Sequence, residues 1–197
     1  VGHVVGSAQD VTCEVENCPQ LMTADLSGCG SLRCIGNGSF RFCSALQSIA
    51  FPRGVASLGK FVLADCRTLV NIDLSACDSL RTIGDAAFSN CAALETVVFP
   101  PSLETLGAWV LSSCPKLAVV DLAASRALRS IGCKTFHACA SLQVVVLPQG
   151  VVSLGDDVLS HCPNLVIVDL SACRGLCTIG DGALRSCASL DTVAFPP

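Results

Sequence analysis

The stretch IGDAAFSNCAALETVVFPPSLETLG, residues 83–107, contains the unit from which most of the chain is built. Its segment LETVVF, which starts at Leu94, recurs elsewhere as LxxVxL or LxxVxF. These segments begin at Leu21, Leu46, Leu69, Leu94, Leu117, Leu142, Leu165 and Leu190. The intervals alternate between 25 and 23 residues, so a long and a short unit together make a 48-residue period. A fixed period of this size predicts a solenoid of stacked coils.

Each unit has the apolar spacing of one coil. In the segment from Leu69, we expect Leu69, Ile72 and Leu74 to point inward and Asn71 and Asp73 to point outward. A regular strand alternates strictly, so this spacing requires a bend before the strand. One coil cannot bury its apolar side alone, but stacked coils bury one another.

A glycine follows the second apolar pair of successive units. It stands at Gly84, Gly107, Gly132, Gly155 and Gly180. We interpret this position as a corner with positive φ, which glycine adopts without a Cβ clash. Short helical turns such as AFSNC, residues 87–91, are then expected to complete the circuit.

The quoted stretch resembles the leucine-rich repeats of BspA-like bacterial and protist surface proteins, whose pattern is IGxxAFxxCxxLxxVxLPxxLxxIG. The resemblance covers residues 21–197. It implies an α/β repeat solenoid, a curved array of about eight strands with a parallel sheet on the concave face. Short helical or 3-10 turns would lie on the other side. It also implies a binding role without enzyme activity.

The two ends of the chain depart from the repeat. Residues 1–20 keep Cys18 and Pro19 from the end of a short unit, but Asp10 and Thr12 interrupt the apolar positions. This segment is either a degenerate cap or a diverged first coil, because terminal repeats need a polar outer face. The array, residues 21–197, ends just after a strand. An uncapped C-terminus is therefore expected, as in a fragment of a longer array or an end covered by a partner.

Composition argues against several classes of function. The net charge is −4 and the basic residues are scattered, so no footprint for nucleic acid is expected. The uncharged run at residues 135–155 is interrupted by glutamine, proline and glycine, which favours buried solenoid over membrane insertion. No GxSxG, HExxH, P-loop or GxGxxG pattern occurs. We therefore expect no enzyme activity, no cofactor and no metal site.

The fifteen cysteines follow the repeat more closely than they follow any disulfide pattern. One column contains Cys18, Cys43, Cys66, Cys91, Cys114, Cys139, Cys162 and Cys187. We interpret these thiols as small buried hydrophobes. A second column, Cys29, Cys77 and Cys173, has Ser125 as its fourth member. Cys13 and Cys18 could still form a disulfide in an oxidising compartment.

Two histidines fall near coil corners, where a metal site has to be considered. His137 and His161 lie beside members of the cysteine column, so they could be neighbours across one coil. Zinc sites need four convergent ligands, usually with CxxC-like spacing, and the chain has no CxxC. Histidines exposed on turns are therefore the favoured interpretation.

The outward positions of the strands predict where a partner would bind. In the later coils these positions become apolar and are edged by acids, with Asp73 as an earlier counterpart. The predicted contact residues are Val119, Val144, Val146, Val166, Ile167, Asp73, Asp121 and Asp169. Exposed apolar patches often mark interaction sites. Two alternatives remain open: the valines satisfy strand propensity, and the aspartates cap the following turn.

A weaker candidate lies on the opposite side of the coil. Phe61 and Trp109 hold the same position in short units 48 residues apart, and the next such unit has Asp157 there. Isolated exposed aromatic residues are common, so the pair alone indicates little.

The leading functional hypothesis is a non-catalytic module that recognises a protein ligand through the sheet face. The family resemblance favours a cell-surface or secreted location and adhesion. The alternative is a cytoplasmic structural scaffold or assembly subunit with reduced thiols. Self-association, end to end or face to face, is also left open.

Overall fold

The computed structural model describes residues 10–11 and 15–197, which form a solenoid of short parallel strands. The two-residue strands are β1 (Asp10–Val11), β3 (Cys34–Ile35), β5 (Ser57–Leu58), β7 (Thr82–Ile83), β9 (Thr105–Leu106), β11 (Ser130–Ile131), β13 (Ser153–Leu154) and β15 (Thr178–Ile179). The three-residue strands are β2 (Thr23–Asp25), β4 (Ser48–Ala50), β6 (Asn71–Asp73), β8 (Thr96–Val98), β10 (Val119–Asp121), β12 (Val144–Val146), β14 (Ile167–Asp169) and β16 (Thr192–Ala194). Each coil contributes one strand of each kind.

The two kinds of strand form two separate ladders. The two-residue strands make one 8-stranded parallel sheet in the order β1-β3-β5-β7-β9-β11-β13-β15, here called the short ladder. The three-residue strands form the long ladder, which comprises the pairs β2-β4 and β6-β8 and the four-stranded sheet β10-β12-β14-β16. β1 extends the short ladder by pairing Asp10 with Cys34. The rest of the N-terminal segment, apart from residues 15–20, lies outside the described residues.

The core fills the space between the ladders, as the coil spacing predicts. Leu69 and Leu74 are fully buried and Ile72 is 1% exposed, whereas Asn71 and Asp73 face solvent. The chain bends into β6, so two residues separate Leu69 from Ile72 while both point inward. The inward and outward assignment for this segment is confirmed.

The corner glycines have a different role from the expected one. Positive φ among the described glycines occurs only at Gly38 and Gly182, so the prediction of positive φ at the corner column is wrong. A Cβ on Gly132 would lie 2.4 Å from the backbone nitrogen of Ala108 in the preceding coil. The corner of each coil rests directly on the backbone below it, and glycine is needed because nothing larger fits.

Helical or 3-10 turns were predicted on the side opposite the long ladder, and the structure does not confirm them. The described residues contain no helix. In the coil that contains AFSNC, φ is +56° at Ala86, +61° at Phe88 and +58° at Asn90. A helix needs consecutive residues with negative φ, so this alternation interrupts it. The backbone N–H groups instead bond to neighbouring coils: Phe88 donates to Val62 O at 2.9 Å.

The uncharged run at residues 135–155 is part of the solenoid. It contains β12 and β13, and Val145 and Val151 within it are fully buried. Over the described residues, no helix has the length and apolar character needed to cross a membrane.

Candidate functional site

The predicted apolar residues meet on the outer face of the long ladder. Val119 pairs in register with Val144, and Val144 pairs with Ile167. Neighbouring parallel strands lie about 4.8 Å apart, so these three side chains form a continuous row. Val146 lies in the adjacent row, and Val166 precedes β14. We call Val119, Val144, Val146, Val166 and Ile167 the valine patch.

The valine patch is substantially exposed. Val119 is 51% exposed, Ile167 43% and Val166 37%, while Val144 and Val146 are half-buried. The residues between them in the strands, such as Val145 and Val168, are buried in the core. The patch is therefore additional apolar surface, which the fold does not need in order to close its core.

The aspartates at the ends of four long-ladder strands, two of them beside the patch, cap the turns that follow those strands. Each accepts a backbone hydrogen bond from the residue two positions later, with a donor–acceptor distance of 2.9 Å. The pairs are Ser27 N to Asp25 Oδ1, Ser75 N to Asp73 Oδ1, Ala123 N to Asp121 Oδ1 and Ser171 N to Asp169 Oδ1. Hydrogen bonds from the Ser75 and Ser171 side chains, then from their backbones, lower the pKa of Asp73 and Asp169. The capping interpretation is confirmed, and Asp73 and Asp169 remain ionised at neutral pH.

The rest of the outer face has a different character. Thr23, Ser48, Asn71 and Thr96 occupy the equivalent row in the earlier coils, and the Thr96 hydroxyl donates to Asn71 Oδ1 at 2.5 Å. The adjacent row of these coils alternates Asp25 and Asp73 with the exposed Ala50 and Val98. The face is thus polar in the earlier coils and apolar from β10 to β14, and Thr192 on β16 ends the apolar row.

Sequence reasoning missed a basic edge beside the valine patch. Arg126 and Arg174 occupy equivalent positions in long units, and with Arg129 they line a cleft of about 700 Å³. An adjoining cleft is lined by Arg126, Val146 and Asp169, which links the basic edge to the patch. The ion pairs among the described residues are Lys60–Asp85, Arg81–Glu104 and Lys116–Glu95. None of them neutralises this edge. The 48-residue spacing of Arg126 and Arg174 was the available signal.

The first cysteine column is a ladder of buried thiols. The Cys114 thiol donates to Phe88 O at 3.2 Å, and Cys139 donates to Leu111 O at the same distance. The pKa of the Cys66 thiol is raised to about 12, mainly because the thiol is buried. The cysteines of the described residues are all free thiols. These thiols bond each coil to an earlier one. Cys13 lies outside the described residues, so its pairing with Cys18 stays a prediction.

The second column shows why serine can replace cysteine there. The Ser125 hydroxyl donates to Pro100 O at 2.8 Å, and the Cys173 thiol donates to Pro148 O at 3.3 Å. Both carbonyls belong to the proline of the preceding short unit. The column therefore needs a small donor that reaches this carbonyl, and not a thiol in particular.

Alkylation of the native protein should separate the cysteines by burial. We expect iodoacetamide at pH 8 to modify the exposed Cys133 and Cys177 first, and Cys66, Cys91 and Cys114 only after denaturation. The reason is that the thiolate is the reactive form and burial suppresses it. Peptide mass spectrometry at successive times measures the order. Equal rates for Cys114 and Cys133 would contradict the buried ladder.

The two histidines are neighbours, as the sequence suggested. The ring centroids of His137 and His161 lie 5.2 Å apart, and His137 Nδ1 lies 2.7 Å from Ser160 Oγ. Burial, then the proximity of His161, lowers the pKa of His137. Over residues 15–197, no three His, Cys, Asp or Glu side chains converge as metal ligands would. The pair is part of an aromatic row with Trp109, whose ring centroid lies 6.0 Å from that of His137.

Comparison with known proteins identifies the repeat. The sequence profile described as BspA type Leucine rich repeat region matches residues 15–127 and 119–197, with 6 copies. Among curated proteins, no sequence matches the chain.

Several solved bacterial structures have the same fold. A leucine-rich repeat protein of T. pallidum is 32% identical, with a TM-score of 0.71 over 81% of this chain and 72% of that one. A leucine-rich cell surface protein of Faecalibacterium prausnitzii is 21% identical, with a TM-score of 0.73 over 82% of this chain and 42% of that one. The pneumococcal vaccine antigen PcpA is 19% identical, with a TM-score of 0.59 over 88% and 50%. The profile match covers the whole repeat array, residues 21–197, and the chain belongs to the BspA-type leucine-rich repeat family.

Proposed function

We propose that the chain is a non-catalytic module that binds a protein through the outer face of the long ladder, with the valine patch as the central contact. The observation that most directly supports this proposal is the exposed row Val119, Val144 and Ile167, whose side chains lie outside the core. Burying such a patch against a partner removes apolar surface from water, at about 25 cal/mol per Å². Repeat proteins of this kind offer an extended binding surface because the same face recurs in every coil.

The borders of the patch indicate the chemistry of the partner. Asp121 and Asp169 contribute negative charge beside the apolar rows, and Arg126 and Arg174 contribute positive charge at the adjoining edge. A partner with an apolar centre and an acidic flank facing the arginines fits this arrangement. Charges at the rim of an interface influence the association rate and the choice of partner more than they influence the total affinity.

The Faecalibacterium and pneumococcal structures support a cell-surface setting for the module, since the first is described as a cell surface protein and the second as a vaccine antigen. In such a setting the proposed partner is a protein on a neighbouring or host cell, and binding amounts to adhesion.

Charge placed in the valine patch should abolish binding. The double variant Val144→Asp, Ile167→Asp puts two carboxylates in adjacent positions of one row, where a partner would have to bury them unpaired. We expect a loss of at least a hundredfold in affinity, because burying unpaired charge is costly. The measurement is binding to an array of purified surface and secreted proteins, followed by interferometry on the proteins that bind.

The matched control carries the same two substitutions on the polar half of the face. Thr23→Asp, Ser48→Asp changes residues that pair in register on β2 and β4, and we expect unchanged binding. Retained binding by the Val144, Ile167 variant would remove the patch from the interface. Size-exclusion chromatography tests whether the patch binds a second copy of the chain. A wild-type dimer that becomes a monomer in the Val144, Ile167 variant would show that it does.

A further inference from the structure

Two exposed aromatic residues form a cleft on the turn side of the solenoid, away from the valine patch. Phe61 and Trp109 are 39% and 42% exposed, and the coil between them presents the small Ala86 at the equivalent position. The resulting cleft has a volume of about 340 Å³ and is also lined by Ser89 and Ser112. A missing side chain on one coil has therefore produced a slot with an aromatic wall on each side.

A cation from a neighbouring coil packs against each of the two aromatic rings. The guanidinium carbon of Arg41, on the preceding coil, lies 4.5 Å from the centroid of the Phe61 ring. Lys134 Nζ, on the following coil, lies 4.4 Å from the Trp109 ring. Along the stack the order is Arg41, Phe61, the cleft, Trp109 and Lys134. Each ring is thus covered by a cation from the neighbouring coil on the side away from the cleft, and both rings line the cleft.

The width of the cleft selects the shape of its occupant. Phe61 and Trp109 are two coils apart, so their equivalent backbone positions are separated by about 9.5 Å. A flat aromatic ring stacked on both walls needs only about 7 Å, or two contacts of about 3.5 Å. A saturated six-membered ring is thicker by roughly 2 Å because of its axial hydrogens, and it contacts both walls.

The polar groups at the cleft indicate a neutral, hydroxylated ligand. Asn90 and Ser113 provide hydrogen-bond donors and acceptors at its border. The Asp85 carboxylate is held by Lys60 Nζ at 2.8 Å and by the Ala108 N–H at 3.0 Å, so its charge is already balanced. A cationic ligand would stack on rings that already carry cations. An uncharged ring with hydroxyl groups fits both the walls and the border.

We propose that this cleft binds a neutral pyranose ring of a glycan, with the sugar stacked between Phe61 and Trp109 and its hydroxyl groups bonded to Asn90 and Ser113. The site lies on the turn side, so it is separate from the protein contact proposed for the valine patch. Aromatic walls give affinity through dispersion, and the amide and hydroxyl groups orient the ring.

The tryptophan makes the proposal directly measurable. Trp109 is the one tryptophan in the chain, which has no tyrosine, so intrinsic fluorescence reports on this cleft. The probes are the neutral trisaccharides chitotriose, cellotriose and maltotriose. We expect a saturable change in Trp109 emission for at least one of them, with half-saturation at or below about 10 mM, in the range of weak single-site binding.

Variants in the cleft test the geometry. Phe61→Ala removes one wall, and Ala86→Leu fills the slot while keeping both walls. Leucine is compatible with positive φ here, as at Leu63 and Leu111. Each change should weaken binding at least tenfold. Phe195→Ala, which removes an exposed phenylalanine near the C-terminal end of the array, should change binding by less than threefold.

Three outcomes would overturn the proposal. They are the absence of a saturable response to any of the trisaccharides, unchanged affinity in Ala86→Leu, and a stronger response to choline or to a hexaproline peptide than to every sugar. Circular dichroism on each variant confirms that a loss of binding does not reflect unfolding.

Discussion

The substitution Gly132→Ala should lower the free energy of unfolding by about 3 kcal/mol, the upper end of the usual cost of overpacking. The added Cβ would lie 2.4 Å from Ala108 N and 2.4 Å from Gly107 C. These are backbone atoms of the coil below, so no side-chain rotation can relieve the contact. The Gly132 N–H also donates to Leu106 O at 2.9 Å, and moving the coils apart would weaken that bond. Urea denaturation followed by circular dichroism measures the change.

Gly28→Ala is the matched control for the corner glycine. Nothing lies within 4 Å of a Cβ at Gly28, and the equivalent residues of the other long units are Ala76, Ala124 and Ala172. We expect no loss, or a gain of up to about 1 kcal/mol, because alanine restricts the unfolded chain. Equal effects of the two substitutions would show that coil contact is not what requires glycine.

Phe136→Ala should cost about 3–5 kcal/mol, the range for truncating a buried phenylalanine. Phe136 is fully buried, and it recurs at the 48-residue period as Phe40 and Phe88. The short units have Leu63 and Leu111 at the same position and the last long unit has Leu184, so each of these coils places a large apolar side chain there. Truncation leaves a cavity between two neighbouring coils, whose backbone bonds limit how far they can collapse.

Phe42→Ala separates the loss of a buried ring from the loss of any phenylalanine on the turn. Phe42 is 41% exposed and has φ of +58°, close to the +59° of Phe136. We expect a cost of about 1 kcal/mol or less, since only partial burial and a contact with Arg41 are lost. Thermal unfolding of both variants provides the comparison. A similar loss at the two positions would contradict the assigned core.

Much of the fold could be predicted because every coil must solve the same packing problem. The alternation of 25 and 23 residues predicted the coil, and the spacing of Leu69, Ile72 and Leu74 predicted which side chains point inward. The turn was not predictable from these rules. A stretch such as AFSNC has ordinary helical composition, and its alternating φ values arise from hydrogen bonds to neighbouring coils, which no local pattern shows. The glycines were assigned to the right corner for the wrong reason, because steric contact between coils is also invisible in a single unit.

The candidate sites also include one that the sequence predicted and two that it did not. The valine patch could be predicted because strand register follows directly from the repeat. The arginine edge and the slot at Ala86 were missed, because each depends on which residues differ between equivalent positions of neighbouring coils. Both sites could be predicted from the sequence by comparing equivalent positions of successive coils, such as Phe61, Ala86 and Trp109.

The most direct test of the central claim is to map which face a bound protein touches. A photoreactive benzoylphenylalanine is placed at position 144 on the long ladder, and in a second protein at position 152, an exposed valine beside the short ladder. Each variant is mixed with one of the purified surface or secreted proteins that bind the chain, and the mixture is irradiated. We expect efficient cross-linking from position 144 and little from position 152. Cross-linking from position 152 alone would show that the partner does not contact the valine patch.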